Sequence, residues 1–256
     1  MILSRRIALG GQQLDELEDR IVIRSINPGV PNEKLEDTPR MGGAGTRLTS
    51  EHWNTLDVTV TFAIDVPKTE LQTRREIFDL VKAWALKKGW LTISYMPGKR
   101  MYVDKVIVPG GGDMWQWTNE YTITFRAYNV PFWTDEVPTS STFEGTNGSA
   151  EILVNGNVQT VLDVTISNTS GQNIQDVSIT VSGKKMTFTG VNLSANQQLV
   201  ISHGTDGLLR AKVGSTSVYS KITGADDLYA EPGNVSVTVK ATRAVSAKIS
   251  AYGRYV

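Results

Sequence analysis

Residues 122–136 read TITFRAYNVPFWTDE, and this stretch decides where the first folded part of the chain ends. Its first half alternates as a β-strand does, with Ile123 and Phe125 on one face and threonines on the other. The alternation stops at the sequence PFW (131–133), after which no tryptophan follows. Two aromatic rings can each bury on the order of 150–250 Å². We therefore interpret this exit as the closing edge of one hydrophobic core.

The composition of the chain changes at the same point. All six tryptophans lie at or before Trp133, whereas the rest is rich in Ser, Thr, Asn, Gly and Val. The segment Val137–Ala150, VPTSSTFEGTNGSA, is polar and has little to bury, which is typical of a linker or crossing loop. We predict two domains, residues 1–140 and 141–256, with the boundary near Ser140.

The first domain is predicted to be α+β, with one helix packed on antiparallel strands. Leu56–Val66, LDVTVTFAIDV, alternates strictly and indicates a half-buried strand. Thr69–Lys88 indicates the helix, with Thr69 and Gln72 as a capping box. Its predicted apolar stripe comprises Ile77, Leu80, Val81 and Trp84, and its predicted solvated positions include Arg74, Arg75, Asp79 and Lys82. Further strands are predicted at 21–23, 90–95, 101–108 and 120–128, with a turn at 109–113.

A long excursion separates the predicted strand at 21–23 from the predicted strand at 56–66. Asn32–Asn54, NEKLEDTPRMGGAGTRLTSEHWN, has no clear period, several charges and a glycine cluster at its middle. Unstructured loops of this length are uncommon in compact domains and are usually functional or disordered. We predict a long hairpin that reaches away from the body of the domain, with the glycines at its tip.

The second domain is predicted to be an all-β sandwich, which makes the whole chain mainly β. Short apolar runs recur at intervals of roughly 8–12 residues and alternate with turn signals such as Pro232-Gly233-Asn234. Val235–Ala241 and Ala247–Tyr252 are predicted as two separate late strands. No helix of useful length is predicted in this domain.

Charge and cysteine content exclude several classes of protein. The 26 Lys and Arg residues balance the 26 Asp and Glu residues, which argues against dedicated nucleic-acid binding. The absence of cysteine excludes disulfides, thiolate nucleophiles and cysteine metal sites. The first residues turn charged before a signal peptide could form, and no apolar run approaches the roughly 20 residues of a membrane span. We expect a soluble protein folded in the cytosol and not exported by the general secretion route.

The sequence offers little catalytic chemistry. His52 and His203 fall in different domains, and no Gly-x-Ser-x-Gly elbow is present. His203 lies in HGTDG, which is typical of a turn, and Asp226-Asp227 is interpreted as a solvated loop in preference to a calcium site. The glycine clusters lack the Gly-Lys-Ser/Thr ending of a phosphate loop. We predict no catalytic residue, no cofactor and no metal.

A β-sandwich can also be a carbohydrate-binding module, which usually stacks sugars on exposed aromatic rings. The second domain has no tryptophan, and Tyr219 and Tyr229 are its candidates for sugar contact. A structural use of both rings is the competing interpretation. Fold alone does not decide between them.

The order of these features resembles the distal tail proteins of long-tailed, non-contractile bacteriophages and related prophages. The resemblance is carried by RIVIRSI, the glycine-rich excursion ending in Arg47, DVTVTFAI and a helix of the REIFDLVKAW type. It continues through WLTISYMPGKRMYVDKV, TFRAYNVPFW, AEPGNVSVTV and the final RAVSAKISAYGRYV. It covers most of the chain, and the order of these motifs makes it more specific than any one of them.

The resemblance implies a structural virion protein that forms a ring, usually a hexamer, through its first domain. Such a ring joins the tail tube to tail-tip or baseplate proteins and leaves a channel for DNA. The hairpin is implied to belt around the neighbouring subunit, and the residues assigned to it are Arg40, Met41, Gly42, Gly43, Gly45 and Arg47. The second domain, galectin-like or sugar-module-like, is implied to lie outside the ring and hold peripheral proteins such as receptor-binding proteins.

Two other classes of function compete with this one. The first is a carbohydrate-binding adhesin, and the second is an enzyme with an accessory sandwich, which lacks a site. The second domain has no long insertion of the kind that forms an extended arm in distal tail proteins, which weakens the case for direct grasping of receptor-binding proteins.

Overall fold

The structure is a computed structural model that describes residues 5–31, 33–39, 46–108 and 120–256. Within these ranges the chain is mainly β, as predicted, with one α-helix and one short 3₁₀-helix. It divides into two compact units, residues 1–133 and 134–256. The predicted turn at 109–113, Trp115 and Trp117 lie outside the described residues.

The first unit contains eleven strands and the α-helix in its described part. The strands are β1 (Ile7–Leu9), β2 (Gln12–Gln13), β3 (Ile21–Asn27), β4 (Glu33–Pro39), β5 (Thr46–Trp53), β6 (Leu56–Ile64), β7 (Gly89–Ile93), β8 (Lys99–Val103), β9 (Lys105–Ile107), β10 (Glu120–Ala127) and β11 (Trp133–Asp135), the last of which crosses into the second unit. The helix α1 is Leu71–Ala85. One antiparallel sheet has the order β3-β6-β10-β9, another includes β2-β1-β7-β8, and β4 pairs with β5 in a two-stranded sheet.

The core of the first unit forms between β6 and α1. Alternation along β6 places Val58, Val60, Phe62 and Ile64 inside, each no more than 1% exposed. Phe78 of α1 lies 6.5 Å from Phe62 in a stacked arrangement, and Trp84 meets Phe125 edge-on at 5.7 Å. The indole Nε1 of Trp84 also donates a hydrogen bond to the Gln12 carbonyl at 3.0 Å. The predicted packing of one helix on a sheet is therefore confirmed.

The details of α1 differ from the prediction. The helix begins after Glu70, and no side chain caps it, so the predicted capping box of Thr69 and Gln72 is wrong. Leu80, placed in the apolar stripe, is 42% exposed. Arg74, placed on the solvated face, is 1% exposed and donates a hydrogen bond from Nη2 to the Val66 carbonyl at 2.7 Å. The Val66 carbonyl, in the β6–α1 connection, therefore binds the Arg74 guanidinium, which the helical pattern places on the solvated face.

The strand predicted over 101–108 is two strands in different sheets. Asp104 separates them, and its Oδ2 accepts hydrogen bonds from the backbone amides of Tyr128 and Asn129 at 2.7 and 3.0 Å. On the adjacent strand pair, Arg126 of β10 donates to both carboxylate oxygens of Asp57 on β6, at 2.6 and 2.5 Å. These two carboxylates fix the exit of β10 from the sheet.

The second unit is all β in its described residues except for the 3₁₀-helix Tyr219–Lys221. Its strands are β12 (Thr139–Val154), β13 (Thr160–Asn168), β14 (Val177–Val181), β15 (Lys184–Phe188), β16 (Gln198–His203), β17 (Leu209–Val213), β18 (Thr216–Ser217), β19 (Ile222–Gly224), β20 (Tyr229–Ala230), β21 (Gly233–Ala251) and β22 (Arg254–Tyr255). One curled sheet includes most of them, in the order β18-β17-β16-β13-β21-β14-β15-β19, and β12 also pairs with β21.

Strand β21 joins the two halves of this sheet. Its first part pairs with β14 and its last part with β13, while β12 follows it along almost its whole length. The two late strands predicted at 235–241 and 247–252 are therefore one strand. The linker predicted at Val137–Ala150 is also wrong, because β12 occupies most of it.

The register of β12 and β21 shifts where β21 changes partners. Gly145 lies opposite Val245 and Asn147 opposite Lys240, so one residue of β12 faces four of β21. Gly145 has φ +136°, a conformation that side chains with a Cβ rarely adopt. Beyond the shift, a Cβ on Gly148 would lie 2.3 Å from Cε2 of Phe143. The hydroxyl of Thr139, at the start of β12, donates to the Leu153 carbonyl near its end at 2.6 Å. Strand β12 thus folds back on itself at this glycine corner, residues 145–148.

Replacement of Gly148 tests the packing at the glycine corner. We expect Gly148→Ala to lower the free energy of unfolding by about 0.5–1.5 kcal/mol, because the new methyl overlaps the Phe143 ring and forces it out of its rotamer. Chemical denaturation followed by circular dichroism measures the loss. The exposed neighbour Asn147 supplies the control, and Asn147→Ala should change stability by less than about 0.5 kcal/mol. A Phe143→Leu background should reduce the cost of Gly148→Ala, and an equal cost in both backgrounds would contradict the proposed clash.

Candidate oligomerisation hairpin and the buried histidine cluster

The long hairpin predicted from the sequence is present as β4 and β5. The two strands pair antiparallel from Glu33 opposite Trp53 to Pro39 opposite Thr46, with a register shift between Glu36 and Asp37. In the described part of the chain this two-stranded sheet joins none of the three larger sheets. An isolated two-stranded ribbon is at best marginally stable in water, so the hairpin would gain from a further strand.

A glycine turn directs the chain into the hairpin. Gly29 has φ +64°, and a Cβ at this position would lie 1.9 Å from the Asp57 carbonyl oxygen of β6. Its amide donates a hydrogen bond to Oδ1 of Asn27 at 3.1 Å. Only glycine satisfies both the left-handed backbone and the close approach to β6. The sequence Asn-Pro-Gly therefore fixes the direction in which the hairpin leaves the sheet.

An aromatic contact anchors the base of the hairpin. Trp53, the last residue of β5, meets Phe132 edge-on with ring centroids 5.6 Å apart. Phe132 is 5% exposed and Trp133 is 2% exposed, so the PFW exit is buried. Aromatic pairs of this geometry contribute about 0.5–1.5 kcal/mol beyond their buried area. The exit that ends the first unit thus also holds the hairpin in place.

The predicted site residues are only partly covered by the structure. Arg40, Met41, Gly42, Gly43 and Gly45 lie outside the described residues. Arg47 lies on β5, where its backbone is opposite Thr38. The role of these residues in oligomerisation stays a prediction.

The two candidate sugar contacts lie in the second unit. Tyr219 begins the 3₁₀-helix and is 52% exposed. Tyr229 lies on β20, and Nζ of Lys184 lies 5.9 Å from the centre of its ring. The pKa of the Tyr229 phenol is raised, chiefly by burial, and nearby Asp227 and Asp226 raise it further. Sugar contact by either ring stays a prediction.

A buried histidine bridges two carboxylates in the second unit. His203 is the last residue of β16, and its side chain is 6% exposed. Its Nδ1 lies 2.9 Å from Oδ1 of Asp163 on β13, and its Nε2 lies 2.8 Å from Oδ1 of Asp227. Asp227 also accepts a hydrogen bond from the Leu228 amide at 2.6 Å. The turn predicted over HGTDG is present, since the Gly207 amide donates to the Gly204 carbonyl at 2.9 Å. The predicted solvated loop holds for the exposed Asp226 but is wrong for Asp227, which is buried.

The two carboxylates determine the charge of His203. Burial opposes the protonated imidazole, but its hydrogen bonds and Coulomb attraction to Asp163 and Asp227 outweigh burial and raise its pKa from 6.5 to about 9. Both ring nitrogens are occupied by these bonds, so the ring is poorly placed to act as a base. Sequence reasoning missed the cluster because its partners are 40 and 24 residues away along the chain.

The described residues contain no group of three or more His, Cys, Asp or Glu side chains arranged to hold a metal ion. Neither helix in the described ranges has the length and apolarity needed to cross a bilayer.

Solved structures share the fold of the whole chain. The chain is similar to the SPP1 Dit (gp 19.1) protein, described as a paradigm of the hub adsorption apparatus in phages that infect Gram-positive bacteria, with 13% identity and a TM-score of 0.67. That alignment covers 97% of this chain and 98% of the SPP1 protein. A chain of the phage p2 baseplate aligns more loosely, with 9% identity, a TM-score of 0.48, and 98% and 99% of the two chains covered.

No family model and no curated protein matches the chain. The resemblance to phage distal tail proteins is nonetheless confirmed at the level of the fold, because the SPP1 alignment spans both units.

The pH dependence of stability tests the histidine cluster. Because the pKa of folded His203 is raised, its protonated form stabilises the fold fully below pH 6.5, and this contribution disappears as pH rises through about 9. We expect a loss on the order of a few kcal/mol between pH 6 and pH 9.5, measured by denaturant unfolding of the second unit. His203→Gln should be less stable at pH 6 and should lack this dependence. The exposed His52 provides the control, since His52→Gln should keep it, and a wild-type curve flat with pH would contradict the bridged histidine.

Proposed function

We propose that this chain is a structural virion protein at the distal end of a long, non-contractile phage or prophage tail. One observation carries the proposal: a likeness of fold to the SPP1 Dit protein over nearly the full length of both chains. A likeness confined to the sandwich would be weak support, since many unrelated proteins share sandwiches. Here the strand–helix body, the hairpin and the curled second unit occur in one order.

In this role the protein forms a ring, with six copies the expected number, that joins the tail tube to tail-tip or baseplate proteins. DNA passes through the central opening without specific binding, consistent with a formal net charge of zero. The first unit forms the ring and the second lies at the periphery, where it contacts receptor-binding or other tail proteins. The ring assembles in the host cytoplasm and becomes part of the virion.

The β4–β5 hairpin supports self-assembly through the first unit. A cyclic ring uses a heterologous contact, in which one surface of each copy meets a different surface of the next. Among the described strands this two-stranded ribbon joins no larger sheet of its own chain. It is suited to such a contact, since backbone groups on its outer edges can pair with a neighbour.

The chemistry of the second unit favours a non-catalytic role. The buried cluster around His203 holds both of its ring nitrogens, which stabilises the sheet and leaves neither nitrogen free to accept a substrate proton. A structural role uses the same cluster without further assumptions, because it ties β13, β16 and the segment before β20 together.

Removal of the hairpin tip tests the proposed function. We expect the wild-type protein to elute with a mass several times 28.1 kDa in size-exclusion chromatography with light scattering. Deletion of residues 40–47 should shift it towards the monomer and leave both units folded by circular dichroism.

The outcomes separate the competing functions. An unchanged mass after the deletion would contradict the hairpin assignment. A wild-type protein that stays monomeric at high concentration and binds glycans would contradict the tail role and favour a carbohydrate-binding adhesin. In that case Tyr219→Ala and Tyr229→Ala would be the variants to examine for lost glycan binding.

A further inference from the structure

One face of the second unit carries hydroxyl groups on three neighbouring strands. Strand β14 and the start of β21 alternate β-branched apolar residues with serine and threonine. Val181 and Val237 are no more than 1% exposed and belong to the core. Thr180 lies opposite Thr238, so both hydroxyl groups project from the other face of the sheet. Thr238 also shares a hydrogen bond with Ser149 of β12 at 2.8 Å, which brings a third strand into this polar face.

A groove of about 400 Å³ lies where this face meets two turns. One is the turn between β14 and β15, and the other is the connection from β20 into β21. The polar side chains that line the groove are Thr180, Ser182, Glu231, Asn234, Ser236 and Thr238, and Pro232 adds an exposed apolar ring. A concave site on which a few polar groups converge is the usual form of a small-ligand site.

Most of the polar side chains in the groove are not engaged within the protein. Those of Ser182, Asn234 and Ser236 make no hydrogen bond to any other described residue. Glu231 accepts one hydrogen bond through Oε1, from Nε2 of Gln159 at 2.6 Å. Hydroxyl and amide groups both donate and accept, so they match a ligand that does the same.

The backbone at Ser182 is unusual. Val181 pairs with Lys184, so Ser182 and Gly183 form a two-residue hairpin turn, with φ +48° and +80°. Such turns favour asparagine or glycine at the first position, and a serine with positive φ is uncommon. A strained residue that lines a groove suggests a functional use for its side chain.

The charges around the groove disfavour an anion or a metal ion as its ligand. Glu231 is the one charged side chain in the lining, and a lone carboxylate repels anions. Lys184, which follows the turn, does not line the groove, and its Nζ lies 5.9 Å from the centre of the Tyr229 ring. The described residues hold no metal-binding cluster of His, Cys, Asp and Glu. A neutral ligand rich in hydroxyl groups fits these surroundings.

We propose that this groove binds a neutral saccharide. Sugar hydroxyls would bond to Ser182, Asn234 and Glu231, and the apolar face of a sugar ring would lie against Pro232. This inference goes beyond the proposed tail role, because it holds whether or not the chain assembles. It also places sugar contact at two turns, since neither Tyr219 nor Tyr229 lines the groove.

Calorimetric titration of the full-length protein tests the groove with maltohexaose, cellohexaose, mannohexaose and N-acetylchitohexaose, and with a hyaluronan hexasaccharide as the anionic comparison. We expect at least one neutral oligosaccharide to bind. Ser182→Gly and Asn234→Ala should each weaken that binding by about three- to tenfold, the effect of one lost hydrogen bond. Ser182→Gly should not lower the melting temperature, because glycine accepts a positive φ without strain.

Asn196→Gly is the matched control for these variants. Asn196 is exposed, has φ +62° and lies outside the groove, so its replacement should leave binding unchanged. Binding that Tyr219→Ala abolishes, but that Ser182→Gly and Asn234→Ala leave intact, would overturn the groove assignment. Failure of the wild type to bind any neutral oligosaccharide, or a preference for hyaluronan, would overturn the proposal.

The oligomeric state of the wild type separates this proposal from the tail role. Saccharide binding by a protein that self-associates supports the groove and leaves the tail role standing. Saccharide binding by a protein that stays monomeric supports the groove and contradicts the tail role. A self-associating protein that binds no neutral oligosaccharide overturns the groove assignment alone.

Discussion

The backbone ladder of β21 is the constraint on which the second unit depends. This one strand pairs with β12 along almost its whole length and with β14 and β13 in succession on its other side. The two halves of the curled sheet can face each other only if β21 and β12 bend together. The bend is possible because Gly145 adopts φ +136° and Gly148 leaves room for the Phe143 ring. The hydrogen bond from the Thr139 hydroxyl to the Leu153 carbonyl brings the two arms of β12 together after this bend.

The first unit is organised by side chains more than by one ladder. Strand β6 presents its apolar face to α1, and the same strand approaches Gly29, where the hairpin begins. Phe132 closes that core and contacts Trp53 at the end of the hairpin. The element proposed to join copies is therefore held at both ends by contacts with its own unit, at Gly29 and at Trp53. A rigid base matters for assembly, since a loosely held arm would lose more conformational entropy on binding.

Local patterns predicted the elements in which the side chains that set the sequence period also form the hydrophobic core. The alternation of 56–66 and the apolar spacing of 77–84 are of this kind, and β6 and α1 are present. The prediction of a linker at VPTSSTFEGTNGSA was wrong because a strand with alternate exposure and a glycine corner has a polar composition, as a linker does. The pairing of this strand with residues 233–251 produces no pattern within the segment itself. The prediction for Arg74 was wrong, and the pairing of His203 was not predicted, because only the fold brings their partners close. These partners are the Val66 carbonyl for Arg74 and two distant aspartates for His203. For the hairpin, glycines between polar runs indicated the turn, but no sequence signal identifies the surface that accepts it.

The position of β21 after its partners in the chain has a consequence for biosynthesis. Residues 233–251 are translated after β12, β13 and β14, yet they supply the shared partner for these three strands. Each of those strands keeps an unpaired edge until β21 has been synthesised, whereas the first unit can already have completed its fold. Their polar, glycine-containing sequences and the charged Glu144 and Glu151 on β12 lower the risk of aggregation during that wait.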